Sequence, residues 1–370
     1  MWEKLTQAAA TSRLPVDVTL YRYGKPQTIA LAPHARLLHL PPPGSRWRDY
    51  QQLERHLDYY DIVHTVMSGR PFANTAARCR TTRRFALVHH FDAAASDQEA
   101  AHESAPDIAA AILAWRRRHQ AKRHLRRCDE VMVMLPSDQD AASIVVPAER
   151  ISSLRTGADK SIFHPDKRCR EAVVGHYGLP PESLLILLSG CQEPTEGVPA
   201  VLDSLQMLLG MGLPLHLLLV GNGSMTKDIK GMLGERATLC GQKLPEEMGV
   251  LYAGSDLLLL PSPHGHGRLT LTEALACNLP VMLAAASPLA AAVQTTAAVK
   301  LVGADAPAWS TALHRLFEVP DTLANMHLAA MSFSQGGRIP DWNTVLREDL
   351  YPVWQKLLQL QQPTMHKRAA

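Results

Sequence analysis

The sequence predicts an α/β protein made of two doubly wound, Rossmann-like domains that face a cleft. Its 370 residues are about twice the usual length of one domain. Apolar runs of strand length recur in both halves without alternating polar residues, which is typical of strands buried on both faces of a parallel sheet. Helical segments lie between these runs. The alternation favours doubly wound sheets, whose ligands bind beyond the carboxyl ends of the strands.

The first predicted domain covers residues 1–152. Its start, WEKLTQAAATSR, has helical composition, and so has the stretch Ala109–Arg127, which directly precedes a strand. The candidate strands are Val16–Tyr21, Arg36–Leu40, Asp61–Val66, Arg84–His90 and Glu130–Leu135.

The second predicted domain covers residues 153–340 and begins with a polar linker at Arg155–Asp166. Residues 341–361 carry one large apolar helix face, which either packs on its own domain or crosses back to the first. The expected strands are Leu184–Leu188, Leu215–Val220, Ala237–Cys240, Asp256–Leu260, Pro280–Leu283 and Val299–Val302. The expected helices are Pro199–Leu209, Ser224–Leu233, Glu246–Ala253 and Thr272–Ala276.

Composition and charge exclude several classes of protein. A formal net charge of +3 is too small to indicate nucleic-acid binding by the whole surface. The six cysteines are scattered without a CxxC pair, which indicates a reduced, intracellular protein. No signal peptide is recognisable, and no run approaches the roughly 20 apolar residues of a membrane span. We therefore expect a cytoplasmic protein whose contact with a membrane, if any, is peripheral.

The most informative segment is Leu251–Leu283, LYAGSDLLLLPSPHGHGRLTLTEALACNLPVML. It places an Asp before an apolar strand, then a Pro-Ser pair and a glycine-containing loop, and then Glu-Ala, Ala-Cys and Pro-Val pairs. This order resembles the retaining GT-B glycosyltransferases of family 4, also called glycosyltransferase group 1. The linker Arg155–Asp166 and the turn LVGNGSM at Leu219–Met225 resemble further motifs of that family in the same order.

The resemblance implies a GT-B fold and a retaining transfer of sugar to a glycan, lipid-linked or small acceptor. The donor would be a nucleotide sugar, with a UDP-sugar favoured, and neither a metal nor a further cofactor is implied. In the family the glutamate at Glu273 binds the ribose hydroxyls. We expect it to open a helix, with backbone N–H groups near Leu269–Thr272 facing the diphosphate. His89 and His90, at a strand end, are the catalytic candidates. The implied donor-binding residues are Glu273, Gly190, Gly221, Gly223, Ser262, Arg268, Leu269 and Thr270.

Three departures from the family pattern indicate a degenerate donor site. Gly265 stands where the first of two acidic residues is expected. Cys191 and Glu196 stand where the family has the Arg and Lys that neutralise the diphosphate. The loss of one such contact raises the activation free energy by about 2–4 kcal/mol. The family's opening strand and glycine-rich loop are not apparent, since the sequence begins near its first helix. Two hypotheses stay open: an active glycosyltransferase, and an inactive homologue that serves as a binding or partner subunit.

The segment Trp115–Arg127, WRRRHQAKRHLRR, holds seven Lys or Arg and two His in thirteen positions. Such a segment attracts anionic lipid headgroups at about 1 kcal/mol per cation near the surface, which suits a lipid-linked acceptor. A solvated basic helix face fits the same pattern. Nucleic acid is disfavoured because only Trp115 supplies an aromatic side chain.

Overall fold

The computed structural model describes residues 1–23, 25–40, 54, 56–66, 71–80, 85–93, 119–166, 168–190, 193–265 and 267–361. The chain divides into two compact units. Unit 1 is Met1–Arg155 with Trp342–Ala370, and unit 2 is Thr156–Asp341. Among the described helices, none has the length and apolar composition that a membrane span requires.

Unit 1 contains two separate sheets. Strands β4 to β7 form a four-stranded parallel sheet in that order, and every residue of β5 and β6 is buried. Such complete burial is what a continuous apolar run predicts. A helix over residues 119–127, here called the basic helix, precedes β6. The other elements are α1 (Trp2–Thr11), β1 (Val18–Tyr23), β2 (Gln27–Ala32), β3 (Ala35–Leu40), β4 (Ile62–Val66), α2 (Pro71–Cys79), β5 (Ala86–Phe91), β6 (Glu130–Val133), α3 (Pro136–Ser143) and β7 (Ile151–Ser153).

The smaller sheet of unit 1 corrects the expectation that Val16–Tyr21 and Arg36–Leu40 belong to a doubly wound parallel sheet. These segments form β1 and β3, which pair in parallel, while the unexpected strand β2 pairs antiparallel to β3. A turn at residues 33 and 34 joins β2 to β3. A turn this short connects only antiparallel neighbours, because parallel strands need a long crossover.

Unit 2 is a six-stranded, wholly parallel sheet in the order β10-β9-β8-β11-β12-β13. All six strands expected from the sequence are present, with ends within one residue of those expected. The elements are α4 (Arg168–Tyr177), β8 (Leu184–Ser189), α5 (Val198–Gly210), β9 (Leu215–Val220), α6 (Thr226–Leu233), β10 (Ala237–Gly241), α7 (Pro245–Gly254), β11 (Leu257–Leu260), α8 (Arg268–Ala276), β12 (Val281–Ala284), α9 (Ala290–Val293), β13 (Val299–Val302), α10 (Ala306–Glu318) and α11 (Thr322–Gln335).

Each unit uses an aspartate in the same way to hold neighbouring strands in register. Asp129 precedes β6, and its N–H and Oδ2 bond the carbonyl and the N–H of Leu87, both at 2.8 Å. Asp256 precedes β11 and makes the same pair of hydrogen bonds with Leu185. Its N–H donates to the Leu185 carbonyl at 2.9 Å, and its Oδ2 accepts the Leu185 N–H at 2.7 Å. This shared hydrogen-bonding arrangement explains why an Asp stands directly before a buried strand in both halves of the sequence. An arginine also pairs with each carboxylate: Arg80 with Asp129, and Arg170 with Asp256.

The C-terminal helical run over residues 342–361 contacts strands of unit 1. It consists of a short α-helix, a π-helical turn and a longer α-helix that ends at Gln361. The indole N–H of Trp354 donates to Nε2 of His64 in β4 at 2.5 Å. The ammonium of Lys356 donates to the buried carboxylate of Glu130 in β6 at 2.8 Å. Polar as well as apolar contacts therefore hold this run against the parallel sheet.

Candidate functional site

The loops that follow three adjacent strands of unit 2 form the candidate site. Strand β8 lies between β9 and β11, and all three run in the same direction. Their loops therefore begin side by side, at residues 190, 221 and 261. Ligands of open α/β sheets bind at this carboxyl edge. All the donor-binding residues expected from the sequence lie in these loops or in the first two turns of α8.

Gly190 and Gly221 turn the chain out of the sheet. Their φ angles, +117° and +110°, lie in the region that favours glycine. The N–H of Gly190 donates to the carbonyl of Val220 at 3.1 Å, and the N–H of Gly221 donates to the carbonyl of Gly241 at 2.9 Å. Each loop is thus hydrogen-bonded to its neighbouring strand where the backbone leaves the sheet.

Residues 193–197 of the loop after β8 are held on both sides. The carboxylate of Glu193 accepts hydrogen bonds from the N–H (2.9 Å) and the hydroxyl (2.5 Å) of Ser224, in the loop after β9. These bonds lower the pKa of the Glu193 carboxyl, which favours its charged form. On the other side, Gly197 packs so closely on Pro261 that an added Cβ would lie 2.4 Å from the Pro261 carbonyl oxygen.

Gly223 and Ser262 shape their own loops. The N–H of Gly223 donates to the Thr226 hydroxyl at 3.1 Å, and that hydroxyl donates to the Gly223 carbonyl at 2.9 Å. Ser262 is buried, and its hydroxyl accepts the N–H of His264 at 3.2 Å. Both residues were expected to contact the donor, and in the structure their hydrogen bonds order the backbone of the loops after β9 and β11.

Helix α8 begins four residues earlier than expected, at Arg268, so the expectation that Glu273 opens the helix is wrong. Gly267 ends the loop with a φ of +92° and packs against Leu260, and this backbone conformation starts the helix without a capping side chain. The N–H of Leu271 donates to the Gly267 carbonyl at 2.7 Å inside the helix. The N–H groups that point out of the helix end are therefore those of residues 268–270, which include the expected Arg268, Leu269 and Thr270.

Glu273 lies in the second turn of α8 and is half-buried beside Tyr252 and Cys277. Burial raises the pKa of the Tyr252 hydroxyl and of the Cys277 thiol, and the negative charge of Glu273 raises both further. Tyr252 is only 2 % exposed, and its hydroxyl interacts with Thr270 and with Ser189, the last residue of β8. The tyrosine therefore connects the end of β8 to the helix that carries Glu273. Tyr252 could not be singled out from the sequence, because it lies inside an apolar helical stretch and matches no motif position.

The departures from the family pattern have distinct structural settings. Gly265 has a φ of +77°, and its added Cβ would lie 3.3 Å from Pro288, so a glutamate would be strained in this backbone conformation. Glu196 is 7 % exposed within a 3₁₀ turn. Cys191 lies outside the described residues. The backbone of the loop after β11 therefore favours glycine at position 265, where the family pattern has an acidic residue.

The two histidines expected to be catalytic have different surroundings in unit 1. His89 is 0 % exposed, and its Nδ1 lies 2.9 Å from the Thr65 hydroxyl and 3.0 Å from Nε2 of His124. Burial, with the charges of neighbouring histidines, holds the pKa of His89 well below its usual value. His89 therefore lies in the core of unit 1. His90 packs edge-on against Trp2, with ring centroids 5.7 Å apart.

Comparison with known proteins agrees with this architecture. Residues 183–318 match the family model of Glycosyl transferases group 1. D-inositol 3-phosphate glycosyltransferase of Rhodococcus erythropolis is 26 % identical over 294 residues, which are 72 % of this chain and 62 % of that protein. The chain therefore spans less than two thirds of the length of this relative.

Two solved structures share the fold. Sucrose-phosphate synthase from Thermosynechococcus elongatus superposes with a TM-score of 0.75 at 21 % identity, over 97 % of this chain and 93 % of that one. HepE from Anabaena, solved with UDP and glucose, superposes with a TM-score of 0.73 at 16 % identity, over 96 % and 95 %. The protein thus has the fold of GT-B glycosyltransferases, and residues 183–318 of its second unit are similar to the glycosyl transferases group 1 family.

Proposed function

We propose that the protein is a retaining glycosyltransferase of family 4 that uses a nucleotide sugar as donor. The observation that carries the proposal is Glu273, which lies inside the matched group 1 domain and beside the carboxyl ends of the parallel strands. A UDP-sugar is the favoured donor, because a structural neighbour of similar size was solved with UDP and glucose. The acceptor class is a glycan, a lipid-linked molecule or a small molecule, the last in line with the name of the Rhodococcus relative.

The geometry suggests how unit 2 would hold the donor. The Glu273 carboxylate would accept hydrogen bonds from the two ribose hydroxyls. The diphosphate would lie at the N-terminal end of α8, where the N–H groups of residues 268–270 and the helix dipole stabilise negative charge. Arg268, the first residue of that helix, would add the positive charge that Cys191 and Glu196 do not supply. Such contacts stabilise the leaving nucleotide as the glycosidic bond breaks.

The acceptor side of the proposal rests on unit 1. His90, at the carboxyl end of β5, remains the candidate for contact with the sugar or the acceptor. The basic segment Trp115–Arg127 would attract an anionic membrane surface carrying a lipid-linked acceptor. Within its described part, Lys122, Arg123, Arg126 and Arg127 are exposed on the basic helix.

Transfer assays with UDP- and GDP-sugars, followed by nucleotide release, test the proposal. We expect Glu273→Gln to abolish measurable transfer, because the ribose would lose its anchor. Glu171→Gln is the matched control. Glu171 is an exposed glutamate of α4, and Arg170 of that helix bonds Asp256 at the opposite edge of the sheet. Full activity of Glu273→Gln would refute the assigned site.

The alternative, an inactive homologue, predicts a different outcome of the same experiment. It would release no nucleotide from any donor, whatever residue occupies position 273. Calorimetric titration with UDP and GDP then separates a pocket that binds without turnover from one that no longer binds. Micromolar affinity that is lost in Glu273→Gln supports the donor site in either case.

A further inference from the structure

A cavity of about 410 Å³ lies in unit 1 between α2 and the basic helix. It uses none of the residues assigned to the donor, since all of those belong to unit 2. Its size is within the range of small-molecule sites. The lining residues are Asn74, Thr75, Ala77 and Arg78 of α2, and Gln120, Arg123, His124 and Arg127 of the basic helix.

The spacing of these residues shows that two helix faces meet at the cavity. On the basic helix they recur at intervals of three and four residues from Gln120 to Arg127, which is one side of an α-helix. On α2, Asn74, Ala77 and Arg78 recur in the same way. The described part of the wall is therefore regular helix, and its polar side chains project from fixed backbone positions.

The lining of the cavity is cationic. Three arginines contribute to it, and none of the described lining residues is acidic. Arg78 pairs with Glu54 at 3.1 Å, an ion pair exposed to solvent, and Arg127 donates to the Ala77 carbonyl at 3.5 Å. His124 stays neutral near pH 7, because burial lowers its pKa to about 4. At least two positive charges therefore remain beside the amides of Asn74 and Gln120.

We propose that this cavity binds a phosphate group, either of a soluble phosphorylated ligand or of an anionic lipid headgroup. Arginine is suited to this task because its planar guanidinium donates two parallel hydrogen bonds to phosphate oxygens. Side-chain amides can donate to the remaining oxygens. If a membrane surface only attracted positive charge, every exposed cation of the helix would contribute equally to binding. If the cavity binds phosphate, only the cations that line it should contribute strongly.

The variants Arg123→Ala and Arg126→Ala separate these two cases. Both arginines are exposed on the same helix and carry the same charge, but only Arg123 lines the cavity. One arm measures binding of inorganic phosphate by calorimetry. The other measures sedimentation of the full chain with phosphatidylcholine vesicles that contain phosphatidic acid. Thermal unfolding of each variant checks that the fold is intact.

We expect Arg123→Ala to weaken binding about tenfold, as the loss of a charged hydrogen bond predicts, and Arg126→Ala to change it little. A loss in the phosphate arm assigns a soluble phosphorylated ligand, and a loss in the vesicle arm alone assigns a lipid headgroup. Arg123→Lys should retain part of the affinity, since lysine keeps the positive charge but cannot donate two parallel hydrogen bonds to a phosphate. Equal losses for Arg123→Ala and Arg126→Ala, or no binding of either probe, would overturn the proposal.

Discussion

Replacing Gly197 by alanine is expected to destabilise unit 2 and to weaken nucleotide binding. The φ of Gly197 is +74°, and an alanine in that region costs about 1–2 kcal/mol. The added Cβ would also lie 2.4 Å from the Pro261 carbonyl oxygen, a backbone atom that cannot rotate away. Overpacking of this kind adds about 1–3 kcal/mol, so the free energy of unfolding should fall by about 3 kcal/mol.

Gly212→Ala is the matched control for this substitution. Gly212 has a similar φ of +80°, but its added Cβ would meet no atom within 4 Å. The control therefore carries the backbone strain without the clash, and we expect a loss of only about 1–2 kcal/mol. Urea denaturation followed by far-UV circular dichroism gives the free energies. Calorimetric titration with UDP then shows whether the loops after β8 and β11 have separated.

Equal destabilisation by the two substitutions would refute the reasoning. It would mean that the contact between Gly197 and Pro261 contributes nothing beyond the backbone angle. Full stability of Gly197→Ala would contradict the left-handed conformation as well. Reduced UDP affinity in the control would instead show that binding responds to stability in general.

Three further outcomes are expected. Glu193→Gln should bind UDP several-fold more tightly, because it removes a negative charge from the loop in which Cys191 and Glu196 already supply no cation; calorimetry that finds weaker binding would contradict this. Asp256→Ala should lower the free energy of unfolding by about 2–3 kcal/mol, since Arg170 and the N–H of Leu185 lose their acceptor, whereas the exposed Asp203→Ala should change it by less than about 0.5 kcal/mol in urea denaturation. Burial lowers the pKa of His64 to about 3, so the unfolded chain takes up the proton first as the pH falls below about 6.5, and stability should drop by about 2 kcal/mol near pH 5. His64→Gln should flatten this decline, and an unchanged pH dependence of unfolding would speak against a buried, neutral histidine.

The sequence alone was sufficient for the sheet of unit 2, because the signal for a buried parallel strand is local. Each apolar run from Leu184–Leu188 to Val299–Val302 has the length and composition of a strand with two covered faces. The motif around Glu273 was also readable, because the order of its residues along the chain is itself the evidence. The strand pairing in unit 1 could not be predicted, since the short turn that makes β2 antiparallel to β3 has only a weak sequence signal.

The details of the site depended on contacts between segments distant in sequence. Helix α8 begins at Arg268 because Gly267 adopts a left-handed conformation against Leu260. No capping side chain marks this helix start in the sequence. Tyr252 connects β8 to α8 through side chains that lie far from it in sequence. A periodic sequence pattern cannot reveal contacts of this kind.

The burial of His89 shows the same limit, because it follows from a neighbour, His124, that lies 35 positions away. By itself the sequence predicted the strands of unit 2 and named candidate site residues, because composition and order are local properties. Only the tertiary structure decided which polar groups face one another, because hydrogen bonding and burial depend on what the fold brings within a few ångströms.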